Sequence, residues 1–323
     1  MTGLPLITGA TGFAGSHLLD HLIAVAGGHA SSSSPIIAAW SNPRGVPVRE
    51  PRPQVRWRAV DLLDRDAVVA AIADLRPSVV YHCAGAADVG GSWVDPVTPL
   101  KVNALGTLHV IDGIREAGLS CTIVVIGSAA VYRPSRDAAS EESPIGPSSP
   151  YGLSKLAQEM IAARAASARV MLARPFNHAG PRQSPAYVTS GFARQIAEIE
   201  AGAMAPVISV GNLDARRDIT DVRDVVRAYR MLAERGQPAR PYNICSGRAQ
   251  RIGDLLESML ALAKTKVSVT IDAARLRPSD NPVVLGDPRR IAAEVGWRAE
   301  IPIDRTLADL LDYWRMRTAV PRA

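Results

Sequence analysis

The chain has 323 residues, 47% of them hydrophobic, enough for one large core or a main lobe with a smaller one. Lysine plus arginine exceed aspartate plus glutamate by 37 to 31. The excess is scattered among acids rather than gathered in a run, which points to an anionic small ligand and away from a nucleic-acid duplex, whose binding calls for a clustered basic face.

Taken in chain order, "LPLITGATG" is an apolar run broken by glycines, and "SHLLDHLIAVAG" after it has apolar residues at helical spacing with a glycine stop. "SSSS" at 31–34 reads as a solvated loop. Strands are predicted at "PIIAAW", "VRWRAV", "SVVYHCAG", "CTIVVIGS", "RVMLARP" and "YNICSG", with helices such as "RDAVVAAIADL" and "NALGTLHVIDGIREAG" between them. Continuous apolar strands alternating with helices predict an α/β fold with a parallel sheet covered on both faces. After about Arg174 the pattern loosens into "PFNHAGPRQSPAYVTSG", a helix "FARQIAEIEAG" and a section rich in proline and arginine. The expected layout is a doubly wound, Rossmann-type nucleotide lobe over 1–175, with about 215–245 returning to it, and a smaller interleaved substrate lobe over 176–214 and 246–323.

Cys83, Cys121 and Cys245 are an odd set without CxxC spacing, so neither a disulfide framework nor a metal site is expected. The glycine motif follows the N-terminus too closely for a signal peptide, and no apolar stretch reaches the length of a membrane span. A soluble protein of the reducing cytoplasm, without a membrane partner, is the expectation.

Gly9, Gly12 and Gly15 stand at three-residue spacing between a strand and a helix, where they permit a tight turn and let a pyrophosphate approach the helix N-terminus. The plain alternative is an ordinary tight turn. The end of the second strand selects between NAD(H) and NADP(H): "AAW" is followed by Ser41, Asn42, Pro43 and Arg44, with no carboxylate before Glu50. Ser41 and Arg44 would welcome a 2′-phosphate, so NADP(H) is preferred and NAD(H) is the alternative, Arg44 otherwise being a solvated loop arginine. Asp61 either accepts from an adenine amino group or caps the helix after it. Tyr151 and Lys155 in "PYGLSKLAQEM" lie four apart at a helix start, on one face; the ammonium is expected to lower the phenol pKa and make it a usable acid or base.

In order, "TGATGFAG", "HCAG", "KVNALGT", Ser128 and "YGLSK" resemble the extended short-chain dehydrogenase/reductase family over essentially the whole chain. The resemblance implies that Ser128 bonds the substrate oxygen, Tyr151 moves the proton, and Lys155 tunes the tyrosine and binds the nicotinamide ribose. It also implies cofactor contacts from Phe13, Leu62 and Ala84. Asn103 would hold open a helix backbone for a water near the lysine, or merely cap that helix. "RPFNHAGPRQ", "VGNLDARRDITDVRDVV" and "RLRPSDNPVVLGDPRRIAAEVGW" resemble the branch acting on GDP-mannose derivatives, which implies Asn177, Arg217 and Arg277 on the sugar-nucleotide diphosphate and Asp280 on the ribose. Forked guanidinium donors suit a diphosphate. Arg182 and Arg194 receive no role.

Dehydratases of that branch carry a glutamate two residues after the catalytic hydroxyl, and here that position is Ala130. Elimination needs a base and an acid beyond the tyrosine, while hydride transfer to a C4 ketone does not. The expectation is therefore reduction of a GDP-4-keto-6-deoxy-D-mannose to a GDP-6-deoxyhexose such as GDP-D-rhamnose. The rivals are a nucleotide-sugar dehydratase or epimerase and a non-catalytic NADP-sensing protein. Arg133 replaces the glycine usual after "VY", and Glu141 or Glu142 would have to leave an exposed loop to reach the pocket. Small residues Ala157, Ala162 and Ala163 lie on an over-apolar helix, and the resemblance implies a homodimer through a four-helix interface.

Overall fold

The computed structural model describes residues 3–27, 35–45, 48, 52–165, 168–275 and 281–319. The serine run 31–34 and the expected ligands Arg277 and Asp280 lie outside the described residues.

Strand β1 (Leu6–Thr8) leads through α1 (Phe13–Ala26) to β2 (Ile37–Ser41), followed by β3 (Val55–Ala59), α2 (Arg65–Leu75) and β4 (Val79–His82). A long helix runs from 97 to 116 as α3 (Val97–Leu100), a π-helical turn (Lys101–Leu105) and α4 (Gly106–Glu116). Next come β5 (Thr122–Ile126), α5 (Pro150–Ala163) and β6 (Arg169–Pro175). The second half carries β7 (Asn177–Ala179), α6 (Val188–Glu200), β8 (Val207–Val210), β9 (Arg216–Asp221), α7 (Val222–Arg235) and β10 (Pro241–Ile244). It ends with β11 (Ala249–Arg251), α8 (Ile252–Ala261), β12 (Ser268–Ile271), β13 (Val283–Val284), α9 (Arg289–Glu294) and α10 (Ile303–Ala319).

Seven strands form one sheet in the order β10-β6-β5-β4-β1-β2-β3, every pair parallel. This is the expected doubly wound architecture, and the sequence pattern explains it. Successive strand residues point to opposite faces, and both faces are covered. On one face Ile7, Ala39, Val124 and Met171 pack with α1 and α7; on the other Leu6, Ala38, Ile123, Val125 and Leu172 pack with residues of α2, α4 and α5. Winding reverses between β1 and β4, and a crevice at the carboxyl ends of strands at such a reversal is where open α/β sheets bind ligands.

The smaller lobe pairs β9 with β7, β11 and β13, sets β8 beside β12, and packs α6, α8 and α10 around Phe192, Ile196, Leu255 and Leu310. The lobes interleave: α7 and the segment holding Ile291 and Trp297 pack into the large sheet's core, while β9 belongs to the small sheet. No helix among the described residues is long and apolar enough to cross a membrane.

Candidate active site

The glycine turn sits where β1 meets the switch point. Gly9 has φ 66°, a left-handed backbone that favours glycine, and a Cβ there would stand 2.6 Å from the Ala84 Cα at the end of β4. A Cβ on Gly15 would lie 2.2 Å from the Gly9 carbonyl oxygen, so α1 approaches the turn as closely as backbone allows. Gly12 caps α1 with no side-chain bond, which leaves the first N–H groups of the helix facing the crevice. This cradle fits a dinucleotide pyrophosphate.

Ser41 ends β2 beside it, and Arg44 is exposed in the following turn, where its N–H donates to Asn42 Oδ1 at 2.9 Å. Asp61 does not cap α2. Its Oδ1 accepts from Leu63 N at 2.9 Å within the preceding turn, and Asp64 is the cap, accepting from Ala67 N at 3.0 Å. Leu62 lies on Gly106 of α4, and its carbonyl bonds His109.

Helix α5 begins at Pro150, with the Ser149 hydroxyl capping Gly152 N at 3.1 Å. Gly152 is forced: a Cβ would stand 2.4 Å from the Ala130 carbonyl oxygen, and this close approach seats Tyr151 against Ser128 at the end of β5. Ser128, Tyr151 and Lys155 line a cavity of about 1110 Å³ together with Gly12, Phe13, Gly15, Asn177 and Arg217. The remaining expected cofactor residues, Gly9, Ser41, Arg44, Asp61, Leu62 and Ala84, lie outside its lining, Gly9 and Ala84 meeting behind the cradle.

The tyrosine differs from expectation. Burial pushes the Tyr151 phenol up to about 12, and a hydrogen bond with Ser128 opposes the shift. Lys155 makes its own hydrogen bonds with other partners. Burial brings the ammonium down to about 8, and its Nζ donates to the Ile126 carbonyl at 2.8 Å and to Gln158 Oε1 at 2.9 Å. Asn103 is no helix cap: it lies within the π-helical turn, its side chain clamping both backbone groups of Ala86 and donating to Ser154 Oγ at 2.8 Å.

The opposite wall comes from the smaller lobe. Arg217 on β9 faces the cavity and donates to the Arg216 carbonyl at 2.8 Å, while burial lowers its pKa. Arg182 pairs with Asp20 at 2.7 Å and Arg194 lies 3.8 Å from Glu198, so both have partners within the chain.

A family model described as GDP-mannose 4,6 dehydratase matches residues 6–310. The chain belongs to that family. It is 35% identical to GDP-6-deoxy-D-mannose reductase of Pseudomonas aeruginosa, over 98% of this chain and 99% of that one. It is 26% identical to human GDP-mannose 4,6 dehydratase over 97% and 92%. Among solved structures, RMD from Pseudomonas aeruginosa complexed with NADPH superposes at a TM-score of 0.81 with 32% identity, covering 98% of this chain and 100% of that one. Thermus thermophilus UDP-glucose 4-epimerase complexed with NAD gives 0.82 with 26% identity, covering 96% and 98%.

Within the GDP-mannose 4,6 dehydratase family the position of interest is 130. Ala130 lines the cavity, and the only carboxylate among the described lining residues is Asp137, on an exposed loop. Glu141 is half-buried rather than exposed on that loop, and its covered side chain is turned away from the cavity lining: its Oε1 accepts from Asn243 N at 2.8 Å, and Arg290 lies beside it. Glu142 pairs with the same arginine. Arg133 lines the wall and seats against Gly146.

The sequence reading does not single out His82, Thr107 or Gln158, which form a buried polar chain behind Lys155. The one available signal is the three-residue spacing from Lys155 to Gln158, which places the two on neighbouring turns.

Proposed function

We propose that this chain is an NADPH-dependent reductase acting on the C4 ketone of a GDP-4-keto-6-deoxy-D-mannose, producing a GDP-6-deoxyhexose such as GDP-D-rhamnose. The carrying observation is a complete Ser128, Tyr151 and Lys155 set in a cavity whose position 130 holds an alanine. NADPH, when bound, supplies the hydride. The cradle of Gly9, Gly12 and Gly15 receives its pyrophosphate, Ser41 and Arg44 its 2′-phosphate, and Phe13, Asp61, Leu62 and Ala84 complete the nucleotide contacts. NADPH in the similar Pseudomonas aeruginosa structure supports this choice, and NAD in the epimerase structure keeps NAD(H) as a weaker alternative.

Ser128 donates to the C4 oxygen, and Tyr151 gives that oxygen a proton. A phenol whose pKa lies near 12 is fully protonated at neutral pH and so is stocked for donation. Lys155 holds the nicotinamide ribose. Asn177 and Arg217 take the diphosphate, with Arg277 and Asp280 completing the substrate contacts. A dehydratase or epimerase reading must supply the missing base from elsewhere, and a sensing role leaves the intact proton donor unexplained.

In this reading the nucleotide lobe is 1–175 with about 215–245 returning to it and the sugar-nucleotide lobe is 176–214 and 246–323, with two exchanges across the seam: β9 pairs in the small sheet, and Ile291 and Trp297 pack into the core of the large one. Two copies pair through α3, the π-helical turn after it, α4 and α5, where Leu100, Leu105, Leu108, Leu153 and Met160 are exposed apolar side chains. Three free cysteines suit a cytoplasmic location. The test is incubation with GDP-4-keto-6-deoxy-D-mannose and NADPH, following loss of nicotinamide absorbance and product configuration. Turnover is expected there, and GDP-mannose alone should give no keto product. Dehydration of GDP-mannose without a partner enzyme overturns the reading.

A further inference from the structure

We propose that Gln158 is the positioning residue of Lys155: its carboxamide, oriented by Thr107 and His82, holds the ammonium so that a single N–H faces the cleft. The inference rests on the reading of Lys155 as a cofactor-binding residue, and the chain of hydrogen bonds behind it fixes every proton.

Thr107 has one hydroxyl hydrogen, and it goes to the Asn103 carbonyl at 2.7 Å. Its oxygen can then only accept from its other two neighbours, Gln158 Nε2 at 2.9 Å and His82 Nε2 at 2.9 Å. Two consequences follow. His82 carries its proton on Nε2, so its Nδ1 accepts from the Thr8 hydroxyl at 2.8 Å, and Thr8 Oγ1 in turn accepts from Ala84 N at 3.2 Å. Gln158 must present its NH2 to Thr107 and its carbonyl oxygen to Lys155. The flipped amide would set NH2 against an ammonium and a carbonyl against an oxygen with no hydrogen left.

Both His82 and Gln158 have no exposed surface, so no water substitutes for a lost partner. Of the three Lys155 donors, two are committed, to Ile126 O and Gln158 Oε1, and one remains for the cavity it lines. The network thus joins the residue beside the glycine turn, Ala84, to the reactive helix through five side chains, Thr8, His82, Thr107, Gln158 and Lys155.

The titratable groups around Lys155 are His82 and Cys83 at the end of β4, Tyr151 on its own helix and Tyr229 on α7. Burial pushes the His82 pKa down to about 3 and the Cys83 pKa up to about 12, and it raises both tyrosines. All four are uncharged near neutrality, and Glu159 is engaged by Arg174. Cys83 opposes the desolvation of the ammonium, and the two oxygens that face the ammonium at hydrogen-bond distance are those of Gln158 and Ile126.

The test measures Lys155 directly in the protein without ligand. Competitive acetylation by acetic anhydride across pH, read by mass spectrometry, gives the midpoint at which each amine becomes reactive, and Lys101, Lys264 and Lys266, the chain's other lysines, serve as internal references. Q158L should lower the Lys155 midpoint by about one unit, a tenfold shift toward the neutral amine, and leave the references unmoved. Q158E keeps the shape, adds a facing carboxylate and should raise the midpoint by at least as much; it decides the matter if Q158L does not fold. NADPH affinity of Q158L should lose its plateau at correspondingly lower pH. Unmoved midpoints in a folded Q158E overturn the proposal. The expected midpoint shifts in the Gln158 variants, together with a wild-type protein that fails to reduce the keto sugar, would instead leave Gln158 in place and sink the reductase reading.

Discussion

Tyr151→Phe separates the proton donor from everything else the residue does. Tyr151 is 9% exposed, and its ring packing survives the change. The substitution deletes one hydrogen bond, that with Ser128, whose oxygen still accepts from Ala130 N at 3.1 Å. A single neutral hydrogen bond contributes about 1 kcal/mol net, so the melting temperature should move by only a few degrees. Lys155 is anchored on Ile126 and Gln158 rather than on the tyrosine, so NADPH affinity should stay within about threefold of the parent. The chemical step loses its general acid, worth typically 10²–10⁴-fold, or about 3 to 5 kcal/mol of barrier. The assays are steady-state reduction of the keto sugar and NADPH titration by fluorescence on the same preparation. A variant within tenfold of the parent in kcat/KM, or one whose loss is matched by lost NADPH affinity, would refute Tyr151 as the acid.

Arg44→Ala should reduce the preference for NADPH over NADH by roughly tenfold, measured as the ratio of the two kcat/KM values, because it deletes a charge-assisted contact to the 2′-phosphate alone. Met160→Glu and Leu153→Glu should each shift the mass seen by light scattering toward the monomer; a wild-type monomer at micromolar concentration refutes the dimer. Glu159→Leu should destabilise the fold by about 3 to 5 kcal/mol in denaturant unfolding, because it strands the Arg174 guanidinium, only 6% exposed, with Tyr132 as its remaining partner. Glu159→Leu combined with Arg174→Met should recover most of that loss.

Much of the large sheet was legible because its strands are buried on both faces and so are written as unbroken apolar runs. "TIVVI" and "VMLA" admit few other readings once helices of the right length separate them. The segment around β9 was harder. "RRDITDVRDVV" changes role at Asp221, whose carboxylate caps α7 through Arg223 N at 2.8 Å and accepts from Thr306 Oγ1 at 2.7 Å. The strand before it pairs in the small sheet and the helix after it packs on the large one, a division set by partners distant in sequence. Ala162 shows the same limit on α5. Its small side chain suggested a partner surface, yet it is fully buried against Ile114, Val170 and Leu172, and the outward positions are Leu153 and Met160. A helix with apolar residues on two sides does not say which side meets its own sheet.

The reactive residues were legible from spacing, but their electrostatics were not, and the reason is general to buried pairs. Four-residue spacing on a helix guarantees that Tyr151 and Lys155 are neighbours; it does not say where the ammonium finds its acceptors. In a site this enclosed, desolvation is the largest influence on both groups, raising the phenol and lowering the amine, and each finds its hydrogen-bond partners elsewhere than in the other. For Lys155 those partners are a strand carbonyl 29 residues earlier and a glutamine whose orientation depends on Thr107, 51 residues from it in sequence. The phenol is therefore protonated and the lysine near the edge of its charged range in the protein alone. Reduction, which consumes a proton at C4, starts from that protonation state, whereas the elimination for which Ala130 supplies no base would need a group in the opposite state at the same pH.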